Sequence, residues 1–251
     1  MQRQQKQSKS TRRILIINGK GGCGKSTIAT NLAAAYASRG LSAALVDYDS
    51  QASSTDWHEL RDSAAPTVTV IPMHQRVSMY QTRAFSHQVP TDCERIIIDT
   101  PSGARERNID QLIKQSDVIL VPMLPSPLDV RSGSRFIAEL LTHRGFRAQP
   151  RAVGVIVNRL QPNNPIQAKL LHSLECLDVP CIATFQDSTL YSRAAEAGAG
   201  VVEIDQEGDA DRSECDKWFE LIEWIETQPR RTARAPVAAG PHRSAVRSAA
   251  T

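Results

Sequence analysis

Short runs of apolar residues alternate along the chain with longer segments of helical character. The runs are typical of strands buried in a sheet, and they lie at 14–18, 41–46, 67–71, 95–98, 117–122 and 152–157. Helices are predicted at 25–39, 130–142, 165–177 and 213–226. Strands that alternate with helices of this length predict an α/β fold, with a mostly parallel central sheet and helices on both faces.

Polar residues collect directly after several of the predicted strands. These segments are 18–26, 47–51, 99–103 and 158–159. In open parallel sheets the ligand binds at the carboxyl ends of the strands, because the loops that follow the strands meet there. The pattern therefore predicts a single ligand site along this edge of the sheet.

The chain has 251 residues, a length that predicts one domain, at 13–228. Its net charge is +3. The two flanking tails, 1–12 and 229–251, contain basic residues and no acid. Gln, Ser, Ala and Pro dominate them, so we interpret them as disordered ends, with contact to a polyanion such as DNA as the alternative. No apolar run approaches the roughly 18–20 residues that cross a bilayer, so a cytoplasmic location is expected.

A glycine-rich loop follows the first predicted strand and leads into the first predicted helix. It reads Lys-Gly-Gly-Cys-Gly-Lys-Ser over residues 20–26. Glycines let backbone N–H groups close around phosphate oxygens, while the helix N-terminus adds positive potential. In such loops the lysine, here Lys25, reaches the β- and γ-phosphates, and the hydroxyl, here of Ser26, joins the magnesium shell. The loop predicts a site for ATP with Mg²⁺ and identifies the fold as that of a P-loop NTPase.

The loop also begins with an unusual lysine, Lys20, and other strand ends have distinctive sequences. Residues 47–51 read Asp-Tyr-Asp-Ser-Gln, and residues 96–101 read Ile-Ile-Ile-Asp-Thr-Pro. These segments resemble the ParA/MinD family of deviant Walker A ATPases, with its Lys-Gly-Gly-x-Gly-Lys-Ser/Thr loop, its Asp-x-Asp-Pro-Gln segment and its Walker B strand. Ser50 departs from the family proline. Residues 125–129 and 157–159 look like those of short ParA-like members without a helix-turn-helix domain.

The resemblance implies a role for each matching residue. The implied nucleotide-binding residues are Gly21, Gly22, Cys23, Gly24, Lys25, Ser26, Thr27, Asn158 and Arg159. The implied magnesium residues are Ser26, Asp47 and Asp99. The implied catalytic residues are Lys20, which crosses to the phosphates of a partner subunit, Lys25, and Asp49, which orients the attacking water. Asp129 is interpreted as an acid in the first turn of a helix and not as a catalytic group.

The same resemblance implies a function. A family member of this type forms an ATP-bound homodimer, hydrolyses ATP when a partner protein stimulates it, and binds DNA non-specifically as the dimer. It thereby distributes a plasmid, a chromosome locus or a protein cargo through an adaptor, and it is associated with the nucleoid. The basic residues considered for DNA contact are Arg144, Arg147, Arg151, Arg193 and Lys217.

Three alternatives are weighed against this function. A MinD-like regulator bound to a membrane or a protein needs an amphipathic C-terminal helix, which the tail at 229–251 lacks. The apolar stripe on the predicted helix at 213–226 is expected to pack on the core. A metallocluster carrier resembling nitrogenase iron protein needs paired cysteines, and the sequence has no C-x-x-C. For a small-molecule kinase, Lys20 and the Asp-x-Asp segment are poor companions. The DNA-positioning ATPase is favoured.

Overall fold

The computed structural model describes residues 11–74, 89–102, 106–161 and 179–230. Its strands are β1 (Arg12–Ile16), β2 (Ala43–Asp47), β3 (Val68–Pro72), β4 (Arg95–Asp99), β5 (Val118–Met123), β6 (Ala152–Leu160) and β7 (Cys181–Gln186). They form one sheet in the order β3-β2-β4-β1-β5-β6-β7, and every neighbouring pair is parallel. The predicted α/β fold with a parallel sheet is confirmed.

Helices cover both faces of this sheet. They are α1 (Lys25–Ser38), α2 (Ser53–Glu59), α3 (Glu106–Gln115), α4 (Pro127–Thr142), α5 (Arg144–Ala148), α6 (Thr189–Glu196) and α7 (Asp209–Thr227), with a 3₁₀ turn at Val201–Glu203. The predicted helix at 165–177 lies outside the described residues. None of the described helices is both long enough and apolar enough to cross a membrane.

β7 is a strand that the sequence pattern did not predict. It lies at the edge of the sheet, where Phe185 is buried and the other residues are exposed or partly exposed. An edge strand is only partly covered, so it lacks the continuous apolar run that marks the central strands. Its carboxyl end, at Gln186, adds one more loop to the edge where a ligand is expected.

The start of α7 also differs from the prediction. The helix begins at Asp209, with Gly208 before it, so the predicted start at residue 213 is wrong. Asp209 and Asp211 lie in the first turn, where negative charge interacts favourably with the helix dipole. The extra turn was missed because it is polar and lies before the apolar stripe begins.

The two faces of the sheet form separate hydrophobic cores. Along β1, Ile14 and Ile16 face one core and Leu15 faces the other, as the period of two in a strand requires. The first core is closed by α1 and α7, and Trp218 and Ile222 of α7 are buried in it. The apolar stripe of the last helix therefore packs on the core, as predicted. The second core lies under α4 and α5.

A buried arginine ties the end of α7 to the sheet. Arg12 is 2% exposed, and its guanidinium donates to the backbone oxygens of Ile225, Glu226 (3.2 Å) and Gln228 (3.0 Å). Arg95 of β4 forms two 2.8 Å bonds to the Glu226 carboxylate. Arg12 was assigned to the N-terminal tail by sequence, but it is the first residue of β1 and part of the folded domain.

We expect Arg12→Ala to lower the free energy of unfolding by about 2–4 kcal/mol, because it leaves the carbonyl oxygens at the end of α7 without the buried guanidinium that donates to them. Urea denaturation followed by circular dichroism measures the change. Arg39→Ala is the matched control, since Arg39 also pairs with α7, through Glu223 at 3.6 Å, but at the surface. Its expected cost is below about 1 kcal/mol. Equal losses in the two variants would contradict a capping role for Arg12.

Candidate nucleotide-binding site

The loop between β1 and α1 has the backbone of a phosphate cradle. Gly22 and Gly24 have φ angles of +74° and +90°, which residues with a Cβ atom rarely adopt. At Gly24 a Cβ would also lie 2.2 Å from Nδ2 of Asn158. Gly24 precedes α1, and no side chain caps that helix. The first N–H groups of α1 are therefore left for an anion, as a phosphate loop requires.

Lys25 lies across this cradle. Its ammonium donates to the Lys20 carbonyl oxygen at 3.3 Å and to Ser102 Oγ at 3.3 Å, and the residue is 5% exposed. Both partners are neutral oxygens at long distances. Phosphate oxygens would be stronger, charge-assisted acceptors, so the buried ammonium is placed to exchange these contacts for a phosphate. Ser102 was not predicted to contribute to the site, although it lies in the segment that follows β4.

A cavity of about 430 Å³ adjoins the cradle and is lined on one side by Gly24, Ser26 and Thr27. Asn158 and Arg159, at the end of β6, line it further, as do Gln186, Asp187 and Ser188 after β7. Asn158 is fixed by its Nδ2, which donates to the Cys23 carbonyl oxygen at 3.0 Å. The volume lies in the range of small-molecule sites. The residues after β7 were missed by sequence because the strand itself was missed.

Asp99, at the end of β4, supplies an anionic oxygen with no partner. The residue is fully buried, its Oδ2 accepts from Ser54 Oγ at 2.8 Å, and its Oδ1 has no hydrogen-bond partner among the described residues. Burial raises the pKa of Asp99 to about 6, and the hydroxyls of Ser26 and Ser54 oppose that rise. An unpartnered carboxylate oxygen near a serine hydroxyl fits a hard divalent cation such as Mg²⁺.

Asp47 is the register partner of Asp99 on the adjacent strand, but both of its carboxylate oxygens accept hydrogen bonds from the following loop and helix. Its Oδ1 accepts from the Asp49 N–H at 3.0 Å. Its Oδ2 accepts from the N–H and the hydroxyl of Thr55, at 3.0 and 2.7 Å. Both oxygens thus hold the loop between β2 and α2. A share of Asp47 in the magnesium shell stays a prediction.

Asp49 lies on that loop and is partly exposed. Its Oδ1 accepts from the Gln51 N–H at 3.0 Å, and its carbonyl oxygen accepts from the Ala52 N–H at 2.9 Å. Ala52 has a φ of +57°, an unfavourable angle for alanine that the surrounding contacts maintain. Two hydrogen bonds thus shape this loop, in which Ser50 stands where the family has proline. The catalytic role of Asp49 stays a prediction.

Lys20 projects away from the cradle in which Lys25 lies. Its Nζ is 2.6 Å from Oδ1 of Asp129, and its side chain is 38% exposed. Asp129 is in the first turn of α4, which begins at Pro127 and not at Val130, with Ser126 as N-cap. The interpretation of Asp129 as a helix N-terminal acid agrees with that position. Its pairing with Lys20 was not foreseen, and it arises because the loops after the neighbouring strands β1 and β5 meet.

The residues considered for DNA contact fall into three groups. Arg151 is 9% exposed and its Nε donates to the Ser116 carbonyl oxygen at 2.6 Å, so it holds the start of β6 and presents little surface to DNA. Arg193 and Lys217 are paired with acids, at 3.0 Å to Glu207 and 2.7 Å to Glu214. The remaining two, which are exposed on α5 and form no ion pair within the described part of the chain, are Arg144 and Arg147.

Together the cradle, the buried lysine and the unpartnered carboxylate define a P-loop nucleotide-binding protein. The sequence matches the CobQ/CobB/MinD/ParA nucleotide binding domain over residues 14–201. It is 26% identical over 210 residues to the maintenance of carboxysome distribution protein A of Halothiobacillus neapolitanus, covering 83% of this chain and 94% of that protein.

Solved structures of the same fold were also found. The structure of a complex between ATP and a McdA variant from Cyanothece has a TM-score of 0.68 at 17% identity, covering 89% of this chain and 99% of that one. A chain of the MinC:MinD cell division protein complex of Aquifex aeolicus has a TM-score of 0.65 at 16% identity, covering 89% of this chain and 99% of that one. This chain belongs to the ParA/MinD family, as its loop and strand ends predicted.

Proposed function

We propose that this chain is a positioning ATPase that binds ATP with Mg²⁺, dimerises across the nucleotide and hydrolyses it. The observation that carries the proposal is the separation of two lysines on one loop. Lys25 is buried in its own phosphate cradle, whereas Lys20 lies at the rim, partly exposed and held by Asp129. A second positive charge directed out of the cradle is suited to the phosphates of a partner subunit.

Five of the predicted side chains have tasks in this reaction. Phosphoryl transfer depends mainly on positioning and on neutralising charge, because the protein has little covalent chemistry to perform. The N-terminus of α1 and Lys25 would bind the phosphates. Ser26 and Asp99 would hold Mg²⁺, which would supply charge neutralisation at the phosphates. Asp49 orients the attacking water. Lys20 of the partner adds charge only when two subunits meet, so hydrolysis is tied to dimerisation.

We further propose that the ATP-bound dimer contacts DNA through the exposed arginines of α4 and α5. Arg131 and Arg135 lie on the exposed face of α4, and Arg144 and Arg147 follow on α5. None of the four forms an ion pair with a described residue, whereas Arg193 and Lys217 do. Arginines outside intramolecular ion pairs are available to neutralise DNA phosphates and to release the counterions bound there.

The proposed cargo is a plasmid, a chromosome locus or a protein assembly, and an adaptor recruits it and stimulates hydrolysis. The relative from Halothiobacillus neapolitanus is named for carboxysome distribution, which supports a protein cargo as one possibility. The proposal places the chain in the cytoplasm, at the nucleoid. The apolar stripe of α7 is buried in the core and is therefore not available to bind lipid, which argues against a MinD-like membrane regulator.

The decisive experiment measures binding to non-specific duplex DNA with ATP and with ADP over a range of salt concentrations. We expect binding with ATP only, and an affinity that falls steeply with salt because phosphate contacts release counterions. Equal binding with both nucleotides would indicate that the basic tails act alone. Absence of binding with ATP, in a protein that still dimerises, would exclude the DNA-positioning function and favour a membrane- or protein-bound regulator.

The double variant Arg144→Glu/Arg147→Glu tests the surface itself. We expect at least about a tenfold loss of DNA affinity at low salt, and a shallower dependence of affinity on salt, because phosphate contacts are removed. Fluorescence anisotropy of a labelled duplex measures both. Arg212→Glu is the control for each single variant, Arg144→Glu and Arg147→Glu, because all three change the net charge equally. Arg212 is an exposed arginine of α7, and its loss removes only a surface pair with Asp209. A loss of affinity in Arg212→Glu equal to that in the single variants would assign the effect to net charge and not to this surface.

A further inference from the structure

The first turn of α2 reaches into the pair of carboxylates at the ends of β2 and β4. Ser54 Oγ donates to Asp99 Oδ2 at 2.8 Å, and both residues are fully buried. The next residue, Thr55, binds Asp47 with its N–H and its hydroxyl. One helical turn therefore contacts both carboxylates, each through a different residue. Ser54 was not among the residues that the sequence singled out.

We infer that Ser54 is a positioning residue for the magnesium site, which it serves by orienting the Asp99 carboxylate. The hydroxyl occupies one oxygen of Asp99 and leaves the other, Oδ1, buried and without a partner among the described residues. A buried anionic oxygen without a hydrogen bond is costly, so it is rarely left in a fold unless a ligand binds there. The bond from Ser54 fixes which of the two oxygens faces the cation.

Removing the Ser54 hydroxyl has two consequences for Asp99. The carboxylate loses the hydrogen bond that restricts its rotation, and the ionised form loses part of its stabilisation in a buried site. Both effects lower the affinity for a divalent cation without touching the phosphate cradle. Groups that orient a metal ligand in this way typically contribute about 10–100-fold to metal affinity.

The same turn also connects the cation to the loop that carries Asp49. The loop is held at one end by Asp47, which binds the Asp49 N–H, and at the other by Ser54 and Thr55. In addition, the Tyr48 N–H donates to the Asp99 carbonyl oxygen at 3.0 Å. Under the proposed function, on which this step rests, the hydrogen bonds that orient Asp99 for a cation also hold the loop that carries the water-orienting Asp49.

The test compares wild type with Ser54→Ala by fluorescence of N-methylanthraniloyl-ADP, titrated over free Mg²⁺. ADP keeps the measurement independent of ATP-driven dimerisation. We expect the half-saturating Mg²⁺ concentration to rise on the order of tenfold in Ser54→Ala. Affinity for the same nucleotide in EDTA should match that of the wild type, which also shows that the variant is folded. An unchanged Mg²⁺ dependence in Ser54→Ala would overturn the inference.

A matched control makes the result specific. Ser63→Ala removes a hydroxyl from an exposed position after α2 and should leave the Mg²⁺ dependence unchanged. A tenfold rise in Ser63→Ala as well would overturn a specific role for Ser54. Failure of the wild type to bind the nucleotide under any condition would instead refute the proposed function.

Discussion

In the Lys20→Gln variant we expect ATP hydrolysis to fall by about 10³-fold, the scale seen when a charge supplied in trans is lost from phosphoryl transfer. ATP-dependent dimerisation should be lost as well. ADP binding should be retained, because Lys20 lies outside its own cradle and Lys25 still occupies it. Analytical ultracentrifugation with ATP and with ADP, together with a phosphate-release assay, measures all three properties.

The physical reason is the position of the Lys20 ammonium. Its partner is Asp129, whose side chain is 8% exposed, so the ion pair restrains the lysine in the free subunit. Under the proposed function, this ammonium would act on the phosphates that another subunit brings to the rim of the loop. Glutamine preserves most of the side-chain length and its ability to donate a hydrogen bond, but it removes the charge.

Asp129→Asn separates the charge of the lysine from the ion pair. This variant removes the carboxylate and keeps Lys20, so ATP-dependent dimerisation should persist. If Asp129→Asn loses the dimer to the same extent as Lys20→Gln, the ion pair itself builds the interface. If Lys20→Gln still dimerises with ATP and hydrolyses it at the wild-type rate, the trans role of Lys20 is wrong.

The parts of the site that sequence predicts best are those encoded by neighbouring residues. The phosphate cradle follows directly from β1, and its glycines, Lys25 and the start of α1 are consecutive. Asp99 was recognised because it ends a continuous apolar strand. In each case the local chemistry and the position at a strand end specify the same edge of the sheet. The family was recognised from these same segments, and it is the correct one.

The parts that sequence does not predict depend on contacts between distant elements. Ser54 lies in a short polar helix without periodicity, and only the fold places it against Asp99. Arginine is a residue type usually found at the surface, but Arg151 is buried, and backbone carbonyls and a side-chain amide accept its hydrogen bonds. Asp187 was overlooked with β7, whose edge position removes the apolar pattern. Pairings of this kind are set by packing, which the order of residues alone does not report.

Asp49→Asn should yield a protein that binds ATP, dimerises and hydrolyses the nucleotide about 10²–10³-fold more slowly than wild type, the usual scale for a lost acid–base or water-orienting group. Asparagine is preferable to alanine, because its Oδ1 can still accept from the Gln51 N–H and maintain the loop. The carboxylate charge is then the main property removed. Phosphate release gives the rate, and ultracentrifugation with ATP gives the fraction of dimer.

Asp56→Asn is the matched control for Asp49→Asn. Asp56 is an exposed acid in the first turn of α2, and its substitution removes the same charge from the same region. Its hydrolysis rate should stay within about twofold of wild type, because screened surface charges couple weakly to a distant reaction. A slow, ATP-bound dimer that forms only in Asp49→Asn identifies Asp49 as the group that orients water. Wild-type turnover in Asp49→Asn assigns that task to another residue, and loss of ADP binding shows that Asp49 supports the loop and not the reaction.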